Sequence, residues 1–445
     1  MTNIRLLRAD WYERDIEMRL PFQFGNTEVW GAPEAYARVS VEIDGVVHTG
    51  RAAQLMVPRW FNKNPALSNE QTVDELRKVV RKTVDLIPGR EGTAFTISRE
   101  LRQDVAAAMP DIPALASGFG PALIEMAVID AVCVAHDVPF WRAARDDLFG
   151  LIDGMPQDQA DAMRHSLSGI GSPTCLALRH TVGFDAPLRS DSLTSPSGDN
   201  GSPVTLEEVI AATGIRAFKI KLKGDPSLDL ARLRQISEVV GAVPDLSVTL
   251  DANEQYDPTA FGDFSAEYLA DPSLERVRLA TRFVEQPFAR EIALDAPVVS
   301  QIPLIIDESD DSEDTFETAL SLGWSGTSIK SCKGVLRALV NKSRAVSAGA
   351  VLSGEDLTCQ PGLCWQQDMA MMAACGVKDV ERNGHHFAGG MQGATEEERA
   401  EFLHQHPDIY EQLGGRMTLR IVDGVVQIGS LGRTGFAHTS VREPY

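Results

Sequence analysis

From residue 176 to residue 383 the chain repeats one design without repeating a sequence. Short apolar, β-prone runs each end in a charged or polar residue, and each gives way to a helical stretch. The runs are LALRHTV (176–182), AFKIK (217–221), LSVTLD (246–251), RFVEQ (282–286), PLIID (303–307), TSIK (327–330), AVLSGED (350–356) and KDVERN (378–383). Their spacing is what a strand, a helix and two loops need. Eight such units predict an α/β fold, a (β/α) barrel. In such a barrel the strand C-termini converge on one face, the face that carries chemistry. The charged residues lie at those ends, which a purely structural barrel has no reason to arrange.

The flanks have a different texture. Residues 35–44 (AYARVSVEID) alternate, and Gly45 turns the chain into VVHTGRA, a hairpin signal. NEQTVDELRKVVRKTVDLI predicts a helix opened by Ser68 or Asn69, and a second helix is predicted to start near Ser98. GFGPALIEMAVIDAVCVAHDVPFWRAA predicts a long buried helix ending before Pro139. After residue 390, EEERAEFLHQHPDIYEQL predicts a helix, and TLRIVDGVVQIGS a hairpin turning at Asp423-Gly424. The polar stretch 185–203 follows the first run and is too long for an ordinary βα loop. It reads equally as a lid over the active face and as a solvated insertion.

Composition narrows the function. The 445 residues are 43% hydrophobic and 24% charged, ordinary values for a globular protein, and long enough for a large barrel with a smaller domain. A net charge of −21, from 42 Lys+Arg and 63 Asp+Glu, argues against a nucleic-acid partner. Metals stay open, because local charge can oppose net charge. No run approaches the roughly 18 uninterrupted apolar residues of a membrane helix. Charges break up MTNIRLLRADWYERDIEMRL, leaving no signal-peptide core. Cysteines 133, 175, 332, 359, 364 and 375 lack the spacing of a zinc site or a disulfide framework, so reduced thiols in a cytoplasmic enzyme are expected.

Alternation along a strand puts Lys219 and Lys221 on one face, and lets Asp251, Glu285, Asp307 and Lys330 point inward while their neighbours pack outward. Asp251, Glu285 and Asp307 end the third, fourth and fifth strands. Three convergent carboxylates repel one another unless a cation lies between them, and oxygen ligands without His or Cys favour Mg²⁺, with Mn²⁺ as a substitute. The lysines stand on the second and sixth strands, across a ring of eight. Lys219, a like charge beside Lys221, and the cation both favour the neutral amine that a base requires. The constellation suits removal of a proton next to a carboxylate.

The motifs FKIK, LDAN, VEQP, IDES and SIKSCKG, in this order, resemble the enolase superfamily. A lysine on the sixth strand, with Asp as the acid of the fifth, resembles its muconate lactonizing enzyme subgroup, in the mandelate racemase/muconate lactonizing enzyme family, with the dipeptide epimerases and acylamino-acid racemases. The resemblance covers most of the chain. It implies a (β/α)7β-type TIM barrel over 118–390, an α+β capping domain over 1–117, and a C-terminal return, 391–445, that packs back on it. It also implies Asp251, Glu285 and Asp307 as Mg²⁺ ligands with Asn253 beside them, Lys221 and Lys330 as the acid/base pair, and Lys219 tuning Lys221. The implied substrate is a small-molecule carboxylate, with no membrane or nucleic acid involved, and the implied assembly is a homo-oligomer. The first reaction implied is racemisation or epimerisation of an acyl-amino acid or dipeptide-like compound. Elimination or cycloisomerisation is the alternative. A barrel that binds a ligand without turnover is the rival of another class, and the intact set of acids and lysines argues against it.

Departures from the pattern matter. The dipeptide epimerases usually end the eighth strand in Asp-x-Asp-Gly, which holds an α-ammonium; here the stretch is Glu381-Arg382-Asn383-Gly384. One acid has become an amide, so a cationic amino group is less securely implied. Glu381, Asn383 and His385 remain candidates for substrate contact, as do Arg59 and Trp60 in the capping loop MVPRWFNKNP. Gly354-Glu355-Asp356 is an unusually acidic strand end. Lys223 reads as solvated, Cys359 and Cys364 as thiols at a helix start, and Gly429, Gly432 and Gly435 lack the context of a dinucleotide site.

Overall fold

The computed structural model describes residues 1–25, 27–192 and 202–437. Eight parallel strands close into a barrel: Cys175–Val182, Ala217–Lys221, Ser247–Asp251, Thr281–Glu285, Leu304–Ile306, Gly326–Ile329, Val351–Gly354 and Asp379–Glu381. Closure is by the last strand on the first, with Asp379 opposite Ala177 and Glu381 opposite Arg179. All eight runs named above become these strands. Helices follow most of them, but the segment between Glu285 and Leu304 forms only turns. Pro287, Pro297 and Pro303 interrupt it. Residues 193–201 of the 185–203 stretch lie outside the described residues.

The N-terminal region is an antiparallel sheet of Val46–Leu55, Thr27–Ile43, Ile4–Phe24 and the short Glu91–Gly92, in that order. The hairpin at Gly45 forms as expected, with Asp44 and Gly45 both at positive φ, the geometry of a two-residue turn that follows strand twist. The strand Ile4–Phe24 was not expected from the sequence. It is 21 residues long, buried on one face and washed on the other, so its charges are those of a half-exposed strand. Helix Asn69–Asp85 opens with Ser68 in a capping box with Gln71. The next helix starts at Ala94 on a Thr93 cap, one turn before Ser98, whose hydroxyl faces inward to Glu125.

Helix Phe119–His136 is buried along nearly its whole length beneath the sheet. The stretch Ala114–His136 is long and apolar enough to cross a membrane, and most of it is sheathed by the protein. Gly50 of the sheet crosses this helix so closely that a Cβ there would lie 2.0 Å from the Ala127 carbonyl oxygen.

The C-terminal segment differs from expectation in two places. The predicted helix over EEERAEFLHQHPDIYEQL stops at Gln405, two residues before Pro407, and Tyr410–Leu413 pairs as a strand with Arg416–Leu419. The turn at Asp423-Gly424 forms as expected, closed by reciprocal Val422–Val425 backbone hydrogen bonds of 2.9 and 3.0 Å, but this pairing goes no further. Val425–Gln427 pairs with the first barrel strand instead, where Val426 becomes fully buried. The segment returns to the N-terminal sheet through Arg14, whose guanidinium grips Glu398 with two 2.9 Å bonds and lies over the Tyr36 ring.

Gly50→Ala pushes a methyl group into helix backbone that cannot yield. It is expected to lower stability by about 1–3 kcal/mol or more, read as a fall in the denaturant midpoint.

Candidate active site

The strand ends deliver their charged residues to one buried place. Lys219 is its centre. Its ammonium lies 3.0 Å from Asp251, 2.8 Å from Glu285, 2.7 Å from Glu355 and 3.0 Å from Glu381, acids of the third, fourth, seventh and eighth strand ends. Burial by itself would pull this lysine down, but the four carboxylates outweigh it and hold the ammonium well above the ordinary range. Lys221 donates to Asp251 at 2.6 Å and to Asn253 at 3.0 Å. Lys330, on the far side, donates to Asp307 at 2.7 Å and Glu355 at 2.8 Å, with the Trp60 ring 5.3 Å away. It too is held above the ordinary range, because Asp307, Glu355 and Glu285 overcome its burial.

The carboxylates differ from the expected set in one respect. Oxygens of Glu285, Asp307 and Glu355 lie within 4.8 Å of one another, whereas Asp251 turns toward Lys219 and Lys221. The acidity of the Gly354-Glu355-Asp356 stretch was the only sequence sign of Glu355. Neither Glu285 oxygen completes a hydrogen bond, although the residue is fully buried. Burial, with repulsion from Asp251 and Glu355, pushes its carboxyl well above the usual carboxylate range. A hard divalent cation fits this gap: the donors are all oxygen, they converge, and one of them completes no hydrogen bond. Around them, Gln286 accepts from the backbone N–H groups of Asp307 and Ser309 at 2.8 and 3.1 Å, fixing the fifth strand end. Lys333, from the SIKSCKG motif, lies 2.8 Å from Asp307 and was not singled out from the sequence.

The cleft over these residues is lined by Phe22 and Phe24 of the long N-terminal strand, by Val57 and Trp60, and by Lys219, Lys221, Asp251, Asn253, Asp307, Lys330, Asp356, Leu357 and Glu381. Trp60 is therefore over the site. Arg59 is not: its guanidinium donates to Asn69 at 2.8 Å and to the carbonyls of Asn64 and Leu67, closing its own loop. Lys63 of the same loop reaches Glu308 at 2.9 Å and the Asn253 carbonyl at 3.0 Å, tying cap to barrel. Glu381 lines the cleft, and Thr181 donates to it. Asn383 is turned into the wall, where it binds the Thr181 backbone N–H at 3.0 Å and hydroxyl at 2.8 Å. His385 and His386 sit in a helical turn, Gly384–Phe387, where strand alternation no longer applies; His386 stacks edge-on to His180, and His385 lies at neither cleft wall. Cys359 and Cys364 are buried thiols donating to Gln54 at 3.3 and 3.5 Å, and all six cysteines are free.

A TIM barrel with charged strand ends beneath an antiparallel cap is an enzyme architecture, and sequence comparison names the group. Residues 204–430 match the model of the Enolase C-terminal domain-like family, and the chain belongs to that family. Solved structures of similar fold include a mandelate racemase/muconate lactonizing protein from Herpetosiphon aurantiacus (20% identity, TM-score 0.58, 95% of this chain and 99% of that one). A dipeptide epimerase from Enterococcus faecalis, complexed with Mg and L-Leu-L-Tyr, aligns at 15% identity and TM-score 0.63 over 97% and 99%. A muconate lactonizing enzyme from Pseudomonas fluorescens, complexed with muconolactone, aligns at 16% and 0.61 over 98% and 96%. At these identities the likeness is one of fold. Comparison with curated proteins gives no match.

Lys219→Met leaves four buried carboxylates without their shared cation. In the presence of a chelator the variant is expected to lose about 3–5 kcal/mol of stability, measured by denaturant unfolding; an unchanged midpoint contradicts the central role of this ammonium.

Proposed function

We propose that the protein removes a proton α to a carboxylate, with Lys221 and Lys330 as the acid/base pair, and that it racemises or epimerises an N-acyl amino acid or similar compound. The observation that carries this reading is that two lysines from the second and sixth strands line one cleft, with carboxylates between them. Held by Asp251, Glu285 and Asp307, with Glu355 adjacent, Mg²⁺ would bind the substrate carboxylate and stabilise the negative charge left by the departing proton.

Every other task belongs to side chains of this chain. One lysine takes the α-proton as a neutral amine, and the other returns a proton from the opposite face as an ammonium. The ammonium of Lys330 is supported by Asp307 and Glu355, so it acquires its neutral form only as those carboxylates are engaged elsewhere. Asp251 and Asn253 orient Lys221 from below. Trp60, Phe22 and Phe24 exclude water from the cleft, which strengthens each charge interaction within it.

The eighth strand supports an acylated substrate. An α-ammonium needs a carboxylate, yet Glu381 is taken by Lys219 and Thr181, Asp356 is taken by Arg382 at 2.7 Å, and Asn383 faces the wall. An amide nitrogen makes no such demand.

Incubation in D₂O with Mg²⁺ and a mixed library of N-acyl amino acids, dipeptides and sugar acids tests the reaction, because mass spectrometry finds the compound that gains deuterium at its α-carbon. Lys221→Ala and Lys330→Ala are each expected to stop net racemisation, with a loss of about 10²–10⁴-fold. Each is expected to keep α-proton exchange for one enantiomer only, with opposite preferences. Elimination would instead give one variant without any exchange and a partner that still turns over slowly. Exhaustive chelation, or Asp251→Asn, should abolish turnover while the fold survives. Full activity after chelation would remove the metal from the scheme.

A further inference from the structure

Beside the cleft lies a second cavity of about 120 Å³, enough for more than a water. His180, on the first barrel strand, and His386, in the turn after the eighth, line it with their rings edge to face at 4.9 Å. Leu20, Pro21 and Phe387 supply apolar wall, and Gln23 a polar rim. Its partition from the active cleft is a single layer. Thr181 lines this cavity and donates to Glu381, which lines the cleft, and Phe387 packs against Phe22 of the cleft at 5.0 Å. Pro21 and Gln23 serve the cavity while Phe22 and Phe24 serve the cleft, so one strand of the cap roofs both.

The chemistry of the cavity is uncommitted in one respect. His180 is only 5% exposed, yet its Nδ1 makes no hydrogen bond. A buried ring nitrogen left without a partner is costly, and a ligand that reaches it recovers the loss. Burial holds His180 at about 4, and burial with the neighbouring His180, His385 and Arg19 keeps His386 well below its usual range. At neutral pH both rings are therefore uncharged, each with one donor and one acceptor nitrogen. Asp185, the one charged residue among the described residues lining the cavity, is already held by Lys223 at 3.0 Å.

We propose that the substrate's side chain parts this single layer and enters the cavity, and that His180 and His386 select an uncharged side chain with an apolar stem and a hydrogen-bonding end. The proposal rests on the α-proton chemistry proposed above. An anionic end would find no cationic side chain among the described residues that line the cavity, and a purely aliphatic end would leave Nδ1 of His180 unsatisfied. Near-isosteric pairs separate these cases, since a site built to bond a polar end rejects the analogue that lacks it.

The test compares N-acetylasparagine with N-acetylleucine, using the full chain with Mg²⁺ in D₂O and α-deuterium incorporation as the readout. The wild type is expected to favour the asparagine compound in kcat/KM by about tenfold. His180→Leu should bring that ratio near one, and His180→Gln, which keeps a hydrogen-bonding end, should retain more of it. A wild-type preference for leucine, or the same ratio in wild type and His180→Leu, overturns the proposal. Histidine ring NMR signals, followed during titration with both compounds, separate it from the reaction assignment. Selective shifts of His180 and His386 by the asparagine compound, without any exchange, support the cavity and defeat the proposed reaction. Neither shifts nor exchange defeats the cavity.

Discussion

One ammonium shared by four carboxylates holds the mouth of this barrel together. Lys219 touches the acids that end the third, fourth, seventh and eighth strands, and so bridges parts of the ring that no backbone pairing joins. Its position is electrostatically forced. Buried carboxylates at this density cannot all ionise without a cation, and an isolated buried lysine would give up its proton. The remaining departures follow from the same pressure: Asp251 leans toward the lysines, and Glu285, left with neither oxygen hydrogen-bonded, is the acid most in need of a further cation. Arg179 extends the network to the outer ring of acids, with Asp379 at 2.5 Å and Glu355 at 3.3 Å.

The cap is fastened to this network by polar threads as well as by packing. Gln54, on the third strand of the cap sheet, donates to Ser331 at 2.7 Å, one residue from Lys330. Lys63 binds Glu308, one residue from Asp307, and Arg290 holds the carbonyls of Trp60 and Phe61 at 3.3 Å. A movement of the cap loop is therefore felt at both the fifth and the sixth strand ends. These are buried or half-buried contacts, where an unmade hydrogen bond is expensive, so cap and barrel are expected to move as discrete alternatives rather than by gradual sliding.

The barrel was legible in the sequence because each strand is an apolar run with its chemistry at one end, and alternation decides which side chains face inward. Lys219, Lys221, Asp251, Glu285, Asp307 and Lys330 all obey it. Legibility failed where another periodicity or a partner in space takes over. The strand Ile4–Phe24 carries its alternation in Ile16, Met18, Phe22 and Phe24, but dense charge on its washed face masks the signal. His386 rather than His385 lines a cavity, because a helical turn replaces strand geometry after Asn383. Arg59 sits in a loop whose φ of 61° sends its side chain back to its own helix, which no spacing rule reveals. Beyond the single Val422–Val425 bridge, the strand Val425–Gln427 pairs with a barrel edge rather than extending its hairpin, an outcome of long-range burial.

The long N-terminal strand also sets the order in which the protein can be finished. Its partners at Arg14, Glu17 and Arg19 are Glu398, Gln392 and the His386 carbonyl, so the strand binds residues 367 to 384 positions further along the chain. The strand whose Phe22 and Phe24 roof the cleft has no final seat until Glu398 has been made. Until then a nascent chain must carry that half-apolar strand without these partners, with the delay and aggregation exposure that such distant pairing brings.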